Sequence, residues 1–475
     1  MNLLFVIKKE TYGNIEPLGI MYLSSVLNKN GHNVFLSDTS LKRVSALIKE
    51  KDIRIVGFSC ANTEYEDYVQ ISRKIKERFP SVLIIWGGPT PTFRPEIIAE
   101  DSIDIICRGE GEAALLELVD RLEHKQVIHD IANLWIKDGA RIYKNDVRPL
   151  LADLDSLPLP DRSLINAFPQ FRYSPLRFMM ASRGCPYNCS YCFNHSFHEL
   201  YRGKGKIIRI RSVDNVIAEL EELKKDYNAK FFYFQDDIFP SDDNWLISFS
   251  EKYSRIVKVP FTVVTSARFI TDKFVRYLTH AGCISLHIAI ECGNEKIRTE
   301  ILNKPITNQQ IIDAIKIVKQ HKLGVASYNM VGVPFSTFGD DVSTLDFNLK
   351  VKIDAAYVFF YLPFLETKLG KLSKDGGLLD GNTEFLSYFE KITIKVENKQ
   401  RLEKFSYLFP IIVTYPFLRR YLSILLKIPF PRLFLKFLKD FINAYIIKRK
   451  SILVKLSFTE FCRTGLFLVI KRFSR

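Results

Sequence analysis

A dense run of cysteines lies near the middle of the chain, in Ser182-Arg183-Gly184-Cys185-Pro186-Tyr187-Asn188-Cys189-Ser190-Tyr191-Cys192-Phe193. Three of the eight cysteines fall within this run, with the spacing C-x3-C-x2-C. A short loop can point three such thiols at one centre, and thiolates are the ligands that hold iron–sulfur clusters. No fourth cysteine lies nearby in the sequence, so a 4Fe–4S cluster bound by Cys185, Cys189 and Cys192 would keep one iron open to a small molecule.

A structural zinc site is the alternative for the same three cysteines. His195 or His198 would have to supply the fourth ligand. Structural zinc sites normally show paired C-x2-C spacing, or C-x2-C together with H-x3-H, which this run lacks. The spacing therefore favours the iron–sulfur cluster.

The cysteine spacing resembles that of the radical S-adenosylmethionine (SAM) superfamily, whose loop reads CxxxCxΦC with an aromatic residue at Φ. Tyr191 occupies the Φ position. The resemblance implies that the open iron binds the amino and carboxylate groups of SAM. It implies further that an electron from the cluster cleaves SAM to a 5′-deoxyadenosyl radical, and that flavodoxin, ferredoxin or a similar electron donor supplies that electron.

The length and composition fit a chain of two or three domains. The chain has 475 residues, of which 47% are apolar, enough for sizeable cores. Eight cysteines without regular pairing indicate a reducing compartment rather than a disulfide framework. The first apolar run is five residues long, has no basic residues before it, and predicts a strand rather than a signal peptide. We therefore expect a cytoplasmic protein, one that contacts the cytoplasmic face of a membrane if its basic C-terminal region binds lipid.

The positive charge is concentrated at the C-terminal end. The formal net charge is +15, and residues 401–475 alone hold sixteen Lys and Arg against three Asp and Glu, a net of +13. The first 400 residues are nearly neutral, with a net of +2. Any polyanionic partner should therefore bind the C-terminal region rather than the body of the enzyme.

Residues 1–145 alternate between short apolar runs and amphipathic runs. Five apolar runs predict strands: Leu3–Ile7, Val34–Leu36, Ile53–Phe58, Val82–Trp86 and Ile103–Cys107. Three amphipathic runs predict helices: Leu18–Asn30, Tyr65–Arg78 and Glu112–Leu122. Alternating helices and continuous apolar strands indicate an α/β domain with a doubly wound, Rossmann-like parallel sheet, whose ligands bind at the carboxyl ends of the strands.

Glycine-containing turns at the ends of several elements resemble those of the cobalamin-binding domain that precedes the radical core in one branch of the superfamily. The residues that carry this resemblance are Gly19, Gly87, Gly88, Gly109 and Glu110. The resemblance implies that they lie against cobalamin. The D-x-H-x-x-G motif is absent from the sequence, which implies that no histidine of the protein ligates cobalt. The alternative is that the glycines only terminate strands in another doubly wound domain.

Residues 171–365 form the second predicted domain, after a proline-containing linker at residues 146–170. The predicted strands are Phe178–Ser182, Phe231–Gln235, Phe261–Thr265, Ser285–Ile290, Gly324–Val331 and Ala355–Tyr361. Helical patterns separate most of them. Six such strands match the partial (β/α)6 TIM barrel of the superfamily. The cysteine loop would lie at the carboxyl end of the first strand, where parallel barrels carry their chemistry.

Several residues near the ends of the later strands resemble SAM-binding positions of the superfamily. They are Asp236 and Asp237 for the amino group, Glu291 and Arg268 for placing SAM, and Gly332 and Pro334 near the adenine. A carboxylate suits an ammonium group. The alternative for the two aspartates is capping of the following helix, and a lone arginine is more often a surface ion-pair partner. Cys292 departs from the family pattern, which usually has serine there.

The C-terminal region, residues 366–475, is basic and rich in phenylalanine, and we expect it to be helical. Phe405–Leu418 is apolar, but it is only fourteen residues long and contains two prolines, whereas a membrane-spanning helix needs about 20 residues. Leu433–Ile447 alternates apolar residues and lysines, which is typical of an amphipathic basic helix. Such a helix either covers the barrel or lies on an anionic membrane. RNA binding is a weaker alternative, because no RNA-binding motif is visible.

Together these patterns predict a cobalamin-dependent radical SAM enzyme. The resemblance implies a methyltransferase that uses one SAM to methylate cobalamin and another to form the radical that attacks an unactivated carbon. We expect the substrate to be a small or lipid-like molecule, and nucleic acid to be an unlikely partner. Two alternatives stay open: a cyclase or rearranging enzyme with the same cofactors, and an RNA-modifying enzyme that uses the basic tail.

Overall fold

The structure is a computed structural model that describes residues 1–12, 15–380 and 392–446. Within them the chain forms two compact units. The first comprises Met1–Ser174 together with Ser196–Arg209, and the second comprises Pro175–His195 together with residues 210–380 and 392–446. Both units are mixed α/β, as the alternation of apolar strands and amphipathic helices predicts.

A seven-stranded sheet forms the first unit. Its strands are β1 (Asn2–Ile7), β2 (Asn33–Asp38), β3 (Ile53–Ser59), β4 (Leu83–Gly87), β5 (Ile105–Cys107), β6 (Leu134–Asp138) and β7 (Arg141–Lys144). The order across the sheet is β2-β1-β3-β4-β5-β6-β7, with β1 to β5 parallel and the last two strands antiparallel. The strand order reverses between β1 and β3, and doubly wound sheets bind ligands at such a reversal.

Helices connect the parallel strands of this sheet. They span Leu18–Lys29, Leu41–Glu50, Tyr65–Arg78, Pro89–Phe93 and Glu112–Glu123, with short turns at Lys9–Tyr12 and Pro169–Arg172. The five predicted strands and three predicted helices are all present. The sequence analysis missed Leu41–Glu50 because its apolar stripe is short, and only Val44 and Ile48 are buried. It also missed the antiparallel pair β6 and β7, which extends the sheet at one edge.

The segment predicted as a linker, residues 146–170, is folded onto the first unit. The Ser24 hydroxyl donates to the Asp161 carboxylate at 2.6 Å. Arg162 and Glu16 form an ion pair at 2.6 Å, in which each side chain is only 1% exposed. Separating a buried ion pair would leave a charge without water or a counter-charge, so the pair holds the segment in place.

Six parallel strands form the curled half-barrel of the second unit. The first is β8 (Leu176–Met179), which is followed along the chain by two short strands, β9 (Ser182–Arg183) and β10 (Arg209–Ile210). The other five are β11 (Phe231–Phe234), β12 (Phe261–Thr265), β13 (Cys283–Glu291), β14 (Gly324–Val331) and β15 (Ala355–Phe360). The order across the sheet is β15-β14-β13-β12-β11-β8. The predicted partial barrel is confirmed.

Polar caps in the sequence begin the helices of the half-barrel. These helices span Val213–Asp226, Asp243–Lys252, Asp272–Ala281, Asn308–Gln320 and Phe338–Lys350, whereas the helix Phe193–Leu200 begins in the second unit and ends in the first. Ser212, Asp242 and Thr271 each accept a hydrogen bond from a backbone N–H in the first turn of the helix that follows. The outward side chains of the strands and the apolar stripes of these helices form one continuous core.

The helix Phe338–Lys350 escaped the sequence analysis because its buried side is partly polar. Asp341, Thr344 and Asn348 are all buried on it. Asn348 donates to Asn329 Oδ1 at 2.7 Å, so a hydrogen-bonded pair takes the place of an apolar contact between this helix and β14. A helix of this kind lacks the apolar periodicity by which helices are recognised.

The C-terminal region is mostly helical where it is described, and its first long helix is part of the barrel core. Its helices span Lys368–Asp375, Lys399–Thr414, Leu422–Lys427 and Arg432–Ile446. Lys399–Thr414 buries residues 405–413 without interruption and packs on β15. A helix that is buried all round belongs to a core rather than to a surface. Residues 447–450, with the last basic cluster of the predicted amphipathic helix, lie outside the described residues.

Across residues 1–12, 15–380 and 392–446, no helix is both long enough and apolar enough to cross a membrane.

Candidate active site

The cysteine loop follows β8 and is held on the rim of the half-barrel by the segment after β13. Ser190 donates through its backbone N–H to Leu302 O at 3.0 Å and through its hydroxyl to Ile301 O at 2.5 Å. Asn303 donates to Asn188 O at 2.7 Å. These bonds join two segments that are distant in sequence, so the position of the loop depends on the folded barrel.

The three thiols of the loop lie close together in a poorly hydrated place. Cys185 and Cys189 are buried and Cys192 is half-buried. Burial raises the pKa of Cys185 to about 11 and that of Cys192 to about 12, and the charge of Cys189 adds to both rises. Burial also raises the pKa of Cys189. Thiolates crowded here need a cation nearby, and a bound metal centre supplies one.

Glu291 and Lys304 form a buried polar group beside the loop. Glu291 ends β13 with φ +65°, a left-handed conformation that is uncommon for residues other than glycine. Tyr191 of the loop donates to its carboxylate at 2.8 Å, and the Lys304 ammonium lies 3.2 Å from the same oxygen. Lys304 also donates to Ala289 O at 2.7 Å and opposes the burial-driven rise in the pKa of Cys189. The structure thus brings Glu291 into contact with the cysteine loop.

Asp236 and Asp237 follow β11 and have different surroundings. Asp236 is 2% exposed and accepts hydrogen bonds from Ala181 N at 3.0 Å and from the Ser182 hydroxyl at 2.5 Å. Burial raises its pKa to about 7. Asp237 is exposed and accepts from the Asn194 amide at 3.2 Å, and its charge raises the pKa of two cluster cysteines. Asp236 therefore fastens the strand before the loop, whereas Asp237 is the one that a ligand can reach.

Arg268 lies in the turn after β12 and is exposed. Burial raises the pKa of Tyr187 in the cysteine loop, and the charge of Arg268 lowers it, which places the guanidinium near the loop. Tyr187 Oη also lies 3.1 Å from Ser266 Oγ in the same turn. Asp237 follows β11, Arg268 follows β12 and Glu291 ends β13. These three strands are neighbours, so the three residues share one rim of the half-barrel.

Gly332 and Pro334 form the turn after β14, and the glycine has contacts within the protein that account for it. Gly332 has φ +65° and donates through its N–H to Asp341 Oδ1 at 3.1 Å. A Cβ atom at this position would lie 3.0 Å from Leu402 of the helix Lys399–Thr414. The left-handed backbone and the packing of that helix both require glycine here. A contact of this turn with adenine stays a prediction.

The inner face of the half-barrel carries aromatic side chains that the sequence analysis did not single out. We call this surface the inner aromatic face, and it consists of Phe178, Tyr233, His287, Tyr328, Tyr357 and Phe359. Successive strand residues point to opposite sides of a sheet, and neighbours such as Phe234 and Ile288 pack into the outer core. Tyr233, Tyr328 and Tyr357 are half-buried, so this face is within reach of a ligand.

A hydrogen-bonded group lies at the centre of the inner aromatic face. Tyr233 Oη lies 2.5 Å from Tyr328 Oη and 3.0 Å from His287 Nδ1. Burial lowers the pKa of His287 to about 3, so the imidazole is neutral at physiological pH. Its Nε2 is buried and has no hydrogen-bond partner among the described residues. A buried polar atom of this kind usually bonds to water or to a ligand.

In the first unit, the predicted cobalamin residues lie near the carboxyl ends of the parallel strands. Gly19 is in the first turn of the helix after β1, and a Cβ atom there would have no heavy atom within 4 Å. At Gly87, which ends β4, the nearest atom would be Cys107 Cβ at 3.9 Å. Neither glycine is required by the packing of the protein, so both leave room for a ligand. Gly88, by contrast, has φ +92°, and its Cβ would lie 2.9 Å from Cys60 O.

Gly109 and Glu110 also have partners within the first unit. A Cβ atom at Gly109 would collide with the Tyr201 hydroxyl, which accepts a hydrogen bond from Glu110 N at 3.0 Å. The Glu110 carboxylate pairs with Arg209 at 2.8 Å and accepts from Leu151 N at 3.1 Å. These contacts explain both residues without a ligand, and their contact with cobalamin stays a prediction.

Two family models match the chain. The model of the radical SAM superfamily matches residues 179–347, and that of the B12 binding domain matches residues 6–119. The first range contains the cysteine loop and the rim residues, and the second contains the end of β1 and all of β2 to β5. The chain belongs to the cobalamin-dependent radical SAM enzymes.

Relatives of this radical SAM enzyme include methyltransferases and cyclases. An uncharacterized methyltransferase of Pyrococcus horikoshii is 29% identical over 376 residues, which cover 76% of this chain and 79% of that protein. An anaerobic magnesium-protoporphyrin IX monomethyl ester cyclase of Cereibacter sphaeroides is 25% identical over 348 residues, which cover 69% of this chain and 55% of that protein. The cobalamin-dependent S-adenosylmethionine radical enzyme OxsB shares the fold, with a TM-score of 0.70 and 16% identity over 100% of this chain and 80% of OxsB.

The cofactors of this radical SAM enzyme are a 4Fe–4S cluster, SAM and cobalamin. The two buried thiols of Cys185 and Cys189 and the half-buried thiol of Cys192 are a suitable donor set for the cluster. No three His, Cys, Asp or Glu side chains among the described residues surround a single-ion position. A cluster does not need such a position, because each of its cysteines binds a different iron. The open space at Gly19 and Gly87, at the ligand-binding end of the sheet, suits cobalamin.

Lys304 and the inner aromatic face are the parts of the radical SAM site that sequence reasoning missed. No role was predicted for Lys304, because its proximity to Glu291 appears only in the folded barrel. Tyr233, His287 and Tyr328 lie within three different strands of the half-barrel, β11, β13 and β14. A polar aromatic residue in each of three strands is the signal that could have revealed a shared inner surface.

Proposed function

We propose that this enzyme methylates an unactivated carbon atom of an apolar small molecule, such as a lipid. The observation that carries the proposal is the rim of the half-barrel, where three cysteines meet Glu291 and Lys304 in a chain that also has a B12-binding sheet. When bound, the cluster and SAM supply a 5′-deoxyadenosyl radical that removes a hydrogen atom, and cobalamin carries the methyl group that replaces it. The similarity to a methyltransferase supports this outcome.

The rim residues would hold SAM by charge. Glu291 and Asp237 are carboxylates that suit its ammonium group, and the Arg268 guanidinium suits its carboxylate. Lys304 holds Glu291 in place by its ion pair at 3.2 Å. Tyr191 ties the same carboxylate to the cysteine loop, so the cluster ligands and the SAM-binding group are positioned together.

The inner aromatic face supports an apolar substrate. Its aromatic rings would exclude water from the reacting carbon, as radical chemistry requires. Tyr233, Tyr328 and the unpaired His287 Nε2 would bind a hydroxyl or similar group of the substrate and so orient it. The Nε2 atom of a neutral imidazole donates or accepts such a hydrogen bond according to its tautomer, in either case without bringing a charge into the barrel.

A cyclase reaction is the second candidate. The similarity to anaerobic magnesium-protoporphyrin IX monomethyl ester cyclases favours it, and the inner aromatic face would equally suit a large planar substrate. The two candidates differ in the fate of the SAM methyl group, which enters the product only in the methyltransferase reaction.

Product analysis with methyl-labelled SAM tests the proposal. Anaerobically reconstituted enzyme with hydroxocobalamin, a reductant and a lipid extract should release 5′-deoxyadenosine and transfer the label into the extracted lipids. The triple variant Cys185→Ala, Cys189→Ala, Cys192→Ala should do neither. Release of 5′-deoxyadenosine with a dehydrogenated or cyclised, unlabelled product would favour the cyclase instead.

A further inference from the structure

Exposed apolar side chains are concentrated in one C-terminal segment. Among the residues that the structure describes, fifteen large apolar side chains are exposed, and eight of them lie between Tyr415 and Phe437. We call these eight the C-terminal apolar patch: Tyr415, Phe417, Tyr421, Ile424, Ile428, Leu433, Phe434 and Phe437. Leu433 is 80% exposed and Phe417 is 60% exposed. Such a concentration of exposed apolar surface marks an interaction site.

The helices that carry the patch are held against the barrel core. Lys404, on the buried helix Lys399–Thr414, donates to Leu426 O at 2.9 Å. Arg432 pairs with Glu403 of the same buried helix at 2.5 Å, and Leu435 is only 3% exposed. The helices Leu422–Lys427 and Arg432–Ile446 therefore bury one side while they expose the patch residues on another.

The charged residues of the same segment are all basic. Residues 415–439 contain no Asp or Glu, and their six basic residues are Arg419, Arg420, Lys427, Arg432, Lys436 and Lys439. Apolar residues interleaved with basic ones are typical of helices that lie in the interface of anionic membranes. A surface that binds only RNA does not need the exposed leucine and phenylalanine side chains.

Charge also argues against occupants from the same chain. Residues 447–475 carry eight Lys and Arg and a single Glu, so they would repel the basic patch rather than cover it. A second copy would bring an identical basic patch against the first, with the same repulsion. An acidic lipid surface matches both the charge and the apolar character of the patch.

We propose that the C-terminal apolar patch docks this enzyme on the surface of an anionic membrane. Phe417, Ile424, Leu433 and Phe434 enter the interface between headgroups and acyl chains, while Lys427 and Lys436 contact acidic headgroups. The helix Lys399–Thr414 stays in the barrel core and does not take part. Docking would determine where in the cell the enzyme acts, and it does not depend on which reaction the barrel performs.

Vesicle co-sedimentation of the full chain tests the proposal. Vesicles of equal parts phosphatidylcholine and phosphatidylglycerol should bind the enzyme, vesicles of phosphatidylcholine alone should bind it much less, and added salt should weaken the binding. The variant Leu433→Ser, Phe434→Ser should bind anionic vesicles about tenfold more weakly or worse, because it loses apolar insertion. The control Val127→Ser, Leu372→Ser removes two exposed apolar residues outside the patch and should bind like the parent enzyme.

The charge is tested in the same assay. The double variant Lys427→Glu, Lys436→Glu should also bind anionic vesicles about tenfold more weakly or worse. The control Lys225→Glu, Lys350→Glu makes the same change in net charge elsewhere on the surface, and it should lose less of its affinity for the vesicles. Equal binding by the Leu433→Ser, Phe434→Ser variant and the parent would overturn the proposal. Loss on charge reversal alone would also overturn it, because it would indicate a general polyanion site such as one for RNA. Unchanged thermal unfolding of the variants excludes misfolding as the cause.

Discussion

Lys304 and Glu291 depend on each other at the scale of single residues. Both side chains are nearly buried, and each supplies the opposite charge that the other needs at 3.2 Å. Lys304→Met alone or Glu291→Gln alone should lower the free energy of unfolding by about 3 kcal/mol, because each leaves an uncompensated buried charge. The double variant should lose less unfolding free energy than the sum of the losses in the two single variants. Urea unfolding of the cluster-free protein measures all three values.

The control for these two single variants and the double variant is Lys296→Met, which changes an exposed lysine five residues beyond Glu291. It should alter the free energy of unfolding by about 0.5 kcal/mol or less. Additive losses in the Lys304 and Glu291 variants would contradict the coupling. The double variant should also bind SAM more weakly, which isothermal titration measures separately from stability.

Gly87 offers a test of cobalamin binding that does not disturb the protein. Because its Cβ position is open, Gly87→Leu should fold normally while its side chain enters the space proposed for the ligand. We expect binding of hydroxocobalamin to weaken about tenfold or more, with an unchanged melting temperature. Visible absorption titration measures the affinity. Gly109→Ala is the contrasting variant, because its Cβ collides with Tyr201 and should lower the melting temperature.

Residue-scale features were predictable from the sequence where the signal is local. The spacing of Cys185, Cys189 and Cys192 fits in one loop and needs no knowledge of the fold. The pairing of Lys304 with Glu291 and of Tyr233 with His287 joins different elements, so no sequence pattern encodes it. Asp236 and Asp237 are adjacent in sequence and look equivalent, yet only the structure separates a buried carboxyl from an exposed one.

At the scale of elements, a buried carboxyl joins the turn after β14 to the helix Phe338–Lys350. Burial raises the pKa of Asp341 to about 7, above that of an unfolded aspartate at about 3.9. The folded state therefore binds this proton more tightly, and the stabilisation is present at low pH and is lost as pH rises from about 4 to about 7. This part of the pH dependence amounts to a few kcal/mol of unfolding free energy at most, and it should be absent from the Asp341→Asn variant.

Chemical unfolding at several pH values measures this difference between the parent and the Asp341→Asn variant. The parent should lose stability relative to the variant across that window. Asp313→Asn, at an exposed position of the helix Asn308–Gln320, is the control. A constant difference between parent and variant from about pH 4 to about pH 7 would show that Asp341 does not titrate there.

The helix Lys399–Thr414 behaves as an integral element of the barrel. Phe405 is fully buried in it, so Phe405→Ala should lower the free energy of unfolding by about 3–5 kcal/mol through loss of apolar contacts and the cavity left behind. Phe417→Ala, in the exposed patch, should change it by about 0.5 kcal/mol or less. Urea unfolding measures both. Equal effects would mean that the helix is not part of the core.

The positions of strands were easier to predict from the sequence than the role of this helix. Strand and helix alternation is a strong local signal, so all eleven strands predicted in the two units are present. The role of Phe405–Leu418 was not predictable, because an apolar run looks the same whether it enters a core or a membrane. A truncation after Asn398 would remove buried core residues, so substitutions on the exposed patch are the sounder test of membrane binding.

For the whole molecule, the cluster and cobalamin are assigned to separate compact units, and their binding should be separable. The parent, reconstituted without oxygen, should hold about four irons per chain. The triple variant Cys185→Ala, Cys189→Ala, Cys192→Ala should hold almost none, yet still bind hydroxocobalamin. Iron analysis and visible absorption measure the two. Retained iron in the triple variant would show that other residues hold the cluster.

The consecutive order of the barrel strands has a consequence for how the protein is made. Among the six barrel strands, β8 and β11 to β15, each new strand pairs with the barrel strand synthesised before it, so the sheet can grow as the chain leaves the ribosome. The outer side of β15, however, is covered by Lys399–Thr414, which is synthesised later. A nascent chain that ends before this helix exposes apolar core surface. We expect ribosome-bound chains of that length to recruit chaperones until the helix emerges and covers the last strand.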